Sequence, residues 1–111
     1  MASKSCSREY RKTIRGKYAD YKYDAKHRGI EFRLSIVEFS SFWQLPCFYC
    51  RTEIETIGLD RLDNHRGYFA SNVVPCCTYC NRMRNNKNPS EFLSHCYKIV
   101  GTVENAIAVE D

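Results

Sequence analysis

Apolar residues in the first quarter of the chain follow a helical period. The recurring positions are Tyr10, Ile14, Tyr18, Tyr21 and Ala25. Steps of three and four residues place them on one stripe of a helix over about residues 8–28, which Gly29 is expected to end. Gly16 lowers helix stability and is a possible break. The shared stripe favours packing of the tyrosines in a core over stacking on nucleic-acid bases.

Further along the chain, capping patterns predict where two helices begin. Ser35 with Glu38 forms a capping box ahead of an apolar helix that we expect to end near Pro46. Asn88 with Glu91 starts another helix, which we expect to reach about Val100 and to leave residues 101–111 frayed. The other segments are predicted as extended chain over residues 30–34, a strand over 57–63, a turn over 64–67, an extended run over 68–74 and a helix over about 77–86.

Composition is typical of one small globular domain. The chain has 111 residues, of which 43% are hydrophobic and 27% are charged, so disorder is not expected. No apolar run approaches the length of about 18 residues that a membrane span needs, and the N-terminus lacks the apolar segment of a secretory signal. We therefore expect a cytoplasmic protein with no membrane partner. The cytoplasm of a host cell infected by a phage or virus is included in this expectation.

Charge is concentrated at the N-terminal end. Residues 1–34 carry ten basic and four acidic side chains, a net charge of +6, whereas residues 35–111 carry seven and nine, a net charge of −2. The two parts give the overall charge of +4. A basic arm joined to a nearly neutral body favours a polyanionic partner such as nucleic acid, although a solvated basic helix has the same pattern.

Cysteine spacing is the strongest chemical signal in the sequence. Two of the seven cysteines, Cys47 and Cys50, form one C-x-x-C pair, and Cys77 and Cys80 form another. Four thiolates complete the tetrahedral shell that a structural zinc ion prefers, and such a site stabilises a chain with a small core. Cys76 could replace Cys77 through a C-x-x-x-C spacing. A set of reduced core cysteines and a redox motif are the other interpretations.

The segment between and after these pairs, GLDRLDNHRGYFASNVVPCCTYCNRMRNNK, carries a resemblance. A strand with an acidic end, a glycine turn, an asparagine before two apolar residues, and C-x-x-C-N with a trailing basic residue resemble the HNH, or ββα-metal, endonucleases. The similarity is to the zinc-knuckle type found in phages and mobile elements, and it covers about residues 47–88. It implies an α+β fold, a small zinc-stabilised ββα-metal core with flanking helices.

This resemblance divides a single domain, residues 1–111, into three parts. They are a basic N-terminal helical arm (1–34), the zinc-bound ββα core with flanking helices (35–100) and a frayed tail (101–111). It also implies site residues: Asp60 as a carboxylate ligand of a catalytic Mg²⁺ or Mn²⁺, Asn81 as its second ligand, and Asn72 as the side chain that fixes the loop. The implied activity is metal-dependent cleavage or nicking of DNA.

One position departs from the family pattern. Where the family has its general-base histidine, this chain has Arg61, and a guanidinium cannot accept a proton near neutral pH. Arg61 fits an electrostatic role toward phosphate instead. His65, Tyr68, Tyr79, Asp63 or a metal-bound water stay open as the base.

The partner expected from the resemblance is DNA. The side chains expected to contact its phosphates are Arg66, Arg82, Arg84 and Lys87. Two other functions stay open: a catalytically degenerate HNH-fold module that binds DNA or protein, and a zinc-ribbon adaptor that does not bind DNA. The oligomeric state is not predicted.

Overall fold

The computed structural model describes the backbone of residues 8–110 and the side chains of residues 9–104. The predicted polar tail of residues 1–7, with Cys6, and Asp111 lie outside the described residues. The elements, in chain order, are α1 (Arg8–Arg11), α2 (Ile14–His27), α3 (Ile36–Ser40), β1 (Leu59–Arg61), a 3₁₀ turn (Ala70–Asn72), β2 (Val73–Pro75), α4 (Thr78–Arg84) and α5 (Pro89–Glu110). No helix in this part of the chain combines the length and the apolar character needed to cross a membrane.

The predicted N-terminal helix is present but is interrupted earlier than Gly16. α2 begins after Thr13, whose hydroxyl accepts a hydrogen bond from the backbone N–H of Gly16 and so caps the new helix. Its end at Gly29 confirms the prediction. Gly29 has a φ of +68°, and the N–H of Ile30 donates to the carbonyl of Ala25 at 2.8 Å, which is the hydrogen bond of a Schellman turn.

The predicted tyrosine stripe packs on the core at Tyr18 and Tyr21, whereas Tyr10, which lies in α1, is exposed. Tyr18 and Tyr21 both contact the ring of Phe39 edge to face. The hydroxyl of Tyr18 donates to the carbonyl of Leu34 at 2.7 Å, and that of Tyr21 accepts from the N–H of Leu59 at 3.1 Å. Their polar ends are therefore satisfied inside the fold. The buried residues of this core are Ala25, Leu34, Phe39, Ile57, Leu59, Tyr68 and Val73.

Two short antiparallel strands and a helix follow one another as a ββα unit. β1 pairs with β2 so that Asp60 lies opposite Val74, and both strands are shorter than the sequence predicts. Pro75 ends β2, where its missing N–H does not interrupt a central ladder. Cys77 then caps α4: its Sγ accepts from the N–H of Cys80.

The helix that follows the Ser35–Glu38 capping box is shorter than predicted. Both hydrogen bonds of the box are present, which confirms the start, but α3 ends at Ser40 and does not reach Pro46. Gln44 has a φ of +59° and donates its N–H to the carbonyl of Thr56 at 2.7 Å. This contact ties the chain to the loop after the first cysteine pair and ends the helical path.

The last helix is longer than predicted. The reciprocal hydrogen bonds of Asn88 and Glu91 confirm its start. α5 then continues to Glu110, so the prediction of a frayed tail over residues 101–111 is wrong for residues 101–110. The segment after Gly101 contains no proline and several good helix formers, so nothing in it ends the helix.

Candidate metal centre and nucleic-acid cavity

Four cysteine side chains meet where the first cysteine pair faces the start of α4. The Sγ atoms of Cys47, Cys50, Cys77 and Cys80 all lie within 4.8 Å of one another, and those of Cys50 and Cys77 are 3.7 Å apart. Four thiolates at 2.3 Å from one ion in a tetrahedron are separated by roughly 3.8 Å. These four cysteines can therefore hold a metal ion, and the cluster includes Cys77 and not Cys76, as the knuckle spacing predicts.

The surroundings of two of these thiols favour the thiolate form that binds metals. Burial alone would raise the pKa of Cys47, but hydrogen bonds from the backbone N–H groups of Cys50, Cys77 and Tyr49 outweigh it and lower the pKa to about 6. Hydrogen bonding with Thr52 lowers the pKa of Cys50. Burial raises the pKa of Cys80, so this ligand would lose its proton only on binding the metal ion.

One more buried thiol, that of Cys76, lies next to this cluster. Cys76 is only 3% exposed, and burial together with the negative charge of Asp60 raises its pKa. Its Sγ is not part of the four-thiol cluster, and a buried thiol outside a metal site acts as a small apolar side chain. The backbone of Cys76 also holds the start of β1, because its N–H donates to the carbonyl of Gly58 at 2.9 Å.

At the middle of β1, the carboxylate of Asp60 forms a buried ion pair with Arg84 of α4. Nε of Arg84 donates to Oδ2 at 2.7 Å and Nη2 donates to Oδ1 at 2.8 Å. Asp60 is 5% exposed and Arg84 is 0% exposed. Two parallel hydrogen bonds of this kind are the strongest geometry for an arginine and a carboxylate. The carboxylate of Asp60, which the sequence predicts as a metal ligand, is thus neutralised by Arg84.

The same guanidinium has three other hydrogen-bond partners in the site. It donates to the backbone carbonyls of Arg61 and Lys87 and, at 3.1 Å, to the side-chain oxygen of Asn64. Burial would lower the pKa of Arg84, but its hydrogen bonds to Asp60 outweigh this and raise it. Because Arg84 has no exposed surface, the prediction that it contacts DNA is wrong, and the side chain instead joins β1, the following turn and the end of α4.

A tyrosine from the first cysteine pair completes the surroundings of the carboxylate. The hydroxyl of Tyr49 donates to Oδ2 of Asp60 at 3.3 Å. Burial and the neighbouring carboxylate raise the pKa of Tyr49 to about 12. Among the described residues, Oδ1 of Asp60 accepts a hydrogen bond only from Arg84, so one of its lone pairs has no donor.

Asn72 lies where it fixes the loop that joins the two strands. It is 2% exposed, and its side-chain oxygen accepts from the N–H of Asp63 at 3.0 Å. Its amide group donates to the carbonyls of Asp63 and Gly67 at 3.1 and 2.9 Å. Three hydrogen bonds from one buried side chain hold residues 63–67 in place beside the strand that carries Asp60.

A cavity of about 380 Å³ opens beside the ion pair. Three of the predicted site residues line it: Asp60 and Arg61 from β1, and Asn81 from α4. Arg82, one of the predicted DNA contacts, also lines it, together with Arg28 from the end of α2, which the sequence did not single out. Asp60 is the single carboxylate among the described residues that line the cavity, and Arg84 neutralises it. The cavity therefore has a positive electrostatic character.

Arg61 is held in place by carbonyl groups and an aromatic ring. Its Nη1 donates to the carbonyls of Asn64 and Arg66 at 3.0 and 2.8 Å, and its guanidinium lies 5.5 Å from the ring centre of Tyr68. These neighbours stabilise a cation and leave its charge uncompensated.

The residues left open as a general base lie in different places. Tyr68 lines the same cavity as Asp60, whereas His65 lines a neighbouring cavity that also includes Arg61. Tyr79 faces a groove on the other side of α4, beside the cysteine cluster. Asp63 caps the turn by accepting from the N–H of His65 at 2.9 Å. The structure thus brings Tyr68 alone among these four side chains to the cavity of Asp60.

The remaining predicted DNA contacts are on the surface. Arg66, Arg82 and Lys87 are exposed, and the guanidinium of Arg66 lies 5.3 Å from the ring centre of Phe69. Sequence reasoning could have separated Arg84 from this set. Cys80 faces the metal cluster, and Arg84 lies four residues later on the same face of α4, which points inward.

Comparison with known proteins identifies the fold. The structure is similar to that of the rare-cutting HNH restriction endonuclease PacI, with a TM-score of 0.63 and 23% sequence identity over 72% of this chain and 71% of that one. Together with the ββα unit and the four-cysteine cluster, this similarity shows that the chain has an HNH-type fold. No protein-family model matches the sequence.

A viral relative is also similar in sequence. The chain is 36% identical over 85 residues to the uncharacterized protein R423 of Acanthamoeba polyphaga mimivirus. The matched region is 75% of this chain but only 16% of the relative. The chain therefore spans a small part of the length of that protein.

Proposed function

We propose that the chain is an HNH-type DNA endonuclease that nicks or cleaves phosphodiester bonds, with zinc as the ion held by the four cysteines. The observation that carries this proposal is the cavity in which Asp60, Arg61 and Asn81 meet within an HNH-type fold. Its positive lining suits a phosphodiester, which is the charged group that such an enzyme must bind. DNA is the polyanion that the HNH restriction endonuclease of similar structure acts on.

A catalytic Mg²⁺ or Mn²⁺ fits this donor set if DNA supplies part of the coordination. Asp60 offers one lone pair of Oδ1, and Asn81 offers an amide oxygen on the same cavity. Mg²⁺ is commonly bound by one or two carboxylates together with substrate phosphate and water. Because Arg84 neutralises the carboxylate, we expect a weak site in the free protein. When bound, the ion would stabilise negative charge on the reacting phosphate.

Arg61 would act on the phosphate itself. Nη1 is occupied by two backbone carbonyls, and its other N–H groups have no partner among the described residues. A guanidinium fixed in this way can donate to a phosphate oxygen without first having to be ordered. Asn72 would contribute indirectly, by holding the turn whose carbonyl groups position Arg61.

A plasmid-nicking assay with Mg²⁺ or Mn²⁺ tests this proposal. We expect the native protein to convert supercoiled DNA to the open circle, and Asn81→Ala to lose most of this activity. Thr78→Ala, an exposed change on the same helix away from the cavity, is the matched control and should stay active. Asp60→Asn should also be inactive, provided that circular dichroism shows a folded protein. Equal activity in all variants, or none in the native protein, would contradict the proposal.

Two observations favour a second candidate, a DNA-binding module without cleavage. Both oxygens of Asp60 accept hydrogen bonds from Arg84, and an arginine stands at the position of the expected base. Such a module would bind DNA in a salt-dependent manner but would leave the plasmid supercoiled with either metal ion. The same assay, with a parallel binding measurement, therefore separates the two functions.

A further inference from the structure

Besides Arg61 and Arg82, a third arginine lines the cavity beside Asp60, and this one, Arg28, lies outside the ββα unit. Arg28 follows the last residue of α2, and the Schellman turn at Gly29 fixes the backbone on which it lies. It lines the cavity together with Arg61 and Arg82. Three arginines, one just after α2, one in β1 and one in α4, thus line one opening, although Arg28 and Arg82 are 54 positions apart in the sequence.

The charge of Arg28 has no partner among the side chains that the structure describes. Among the described residues, the ion pairs are Arg33 with Glu31 and Arg84 with Asp60, and neither involves Arg28 or Arg82. An exposed, unpaired guanidinium beside a cavity whose carboxylate is already neutralised is placed to bind an anion.

We propose that Arg28 binds a DNA phosphate at this cavity, so that the N-terminal arm completes the nucleic-acid site. This inference rests on the proposed action on DNA and adds a residue to it. Arg61 and Arg28 would contact phosphate oxygens from two sides of the opening, and the planar fork of each guanidinium suits such contacts.

The experiment measures binding of a short fluorescein-labelled DNA duplex by anisotropy, without divalent cations, over a series of salt concentrations. Arg28→Gln should weaken binding about tenfold, which is the scale of one charged hydrogen-bonding group. It should also reduce the slope of log K against log salt by about 0.9, the value for one lost phosphate contact. Arg28→Lys keeps the charge but loses the planar fork of the guanidinium, and its affinity for the duplex should lie between those of the native protein and Arg28→Gln.

Lys26→Gln is the matched control, because it removes one positive charge from the same end of α2 at an exposed position that does not line the cavity. If long-range charge alone matters, Lys26→Gln and Arg28→Gln will weaken binding equally, and the proposal is wrong. If the native protein binds DNA but Arg28→Gln binds it unchanged, the proposal fails while the proposed function stands. If the native protein does not bind the duplex at low salt, both fail.

Discussion

Removing one partner of the buried ion pair should expose how much of the fold depends on it. In Arg84→Met, the carboxylate of Asp60 stays buried without its two charged hydrogen bonds, and the carbonyls of Arg61 and Lys87 lose a donor. Breaking a buried pair from one side costs about 3–5 kcal/mol. A small domain has only about 5–15 kcal/mol in total, so this variant should be close to its limit of stability.

Urea unfolding followed by far-ultraviolet circular dichroism measures this cost, with a fixed excess of zinc in every sample. With a denaturant slope of roughly 1–3 kcal/mol per molar, the midpoint of Arg84→Met should fall by at least about 1 M. Arg82→Met is the control: it removes an exposed arginine from the same helix and should change the free energy of unfolding by less than about 0.5 kcal/mol.

The double variant Asp60→Asn with Arg84→Met shows whether the cost comes from the stranded charge. With no carboxylate left to bury, we expect the double variant to be more stable than Arg84→Met alone. If Arg84→Met is no less stable than Arg82→Met, the ion pair does not stabilise the fold as argued. The same holds if the double variant loses as much stability as Asp60→Asn and Arg84→Met lose when their separate effects are added.

Three further predictions follow from the site. Removing the metal ion with a chelator should abolish the cooperative unfolding transition, and zinc should restore it, because binding at a four-cysteine site is coupled to folding; an unchanged circular dichroism spectrum would contradict this. Asn72→Ala should lower the free energy of unfolding in urea by about 2–3 kcal/mol, because it leaves buried backbone groups of the loop without partners. A loss below about 0.5 kcal/mol, the size of an exposed substitution, would refute this. In an ultraviolet titration, Tyr49 should ionise at about pH 12, because its pKa is raised from 10.0 in the folded state. The contribution of this shift to stability is therefore present below pH 10 and lost as the pH rises toward 12. Asp60→Asn should lower the pH at which Tyr49 ionises.

Local signals in the sequence predicted the parts of the fold that depend on nearby residues. The glycine that ends α2, the capping box before α3 and the asparagine that starts α5 act within four residues of themselves. The cysteine spacing predicted the metal cluster because each C-x-x-C turn directs two thiols to one point. The HNH resemblance was confirmed at the level of the fold.

Contacts between distant residues were beyond the sequence alone. Asp60 and Arg84 are 24 positions apart, and charge type does not tell which of several arginines a carboxylate will meet. Arg84 was therefore assigned to DNA together with the exposed Arg82, although only one of the two is buried. Arg28 was missed because its place at the cavity depends on how α2 packs on the core through Tyr18 and Tyr21.

The ion pair also constrains how this chain can change over evolutionary time. A mutation of Asp60 or Arg84 alone leaves a full charge in the interior, so a lineage that passes through either single mutant produces less folded protein. Joint replacement of the two positions by uncharged side chains of similar volume avoids that intermediate cost. Among divergent homologues, these two positions should therefore covary.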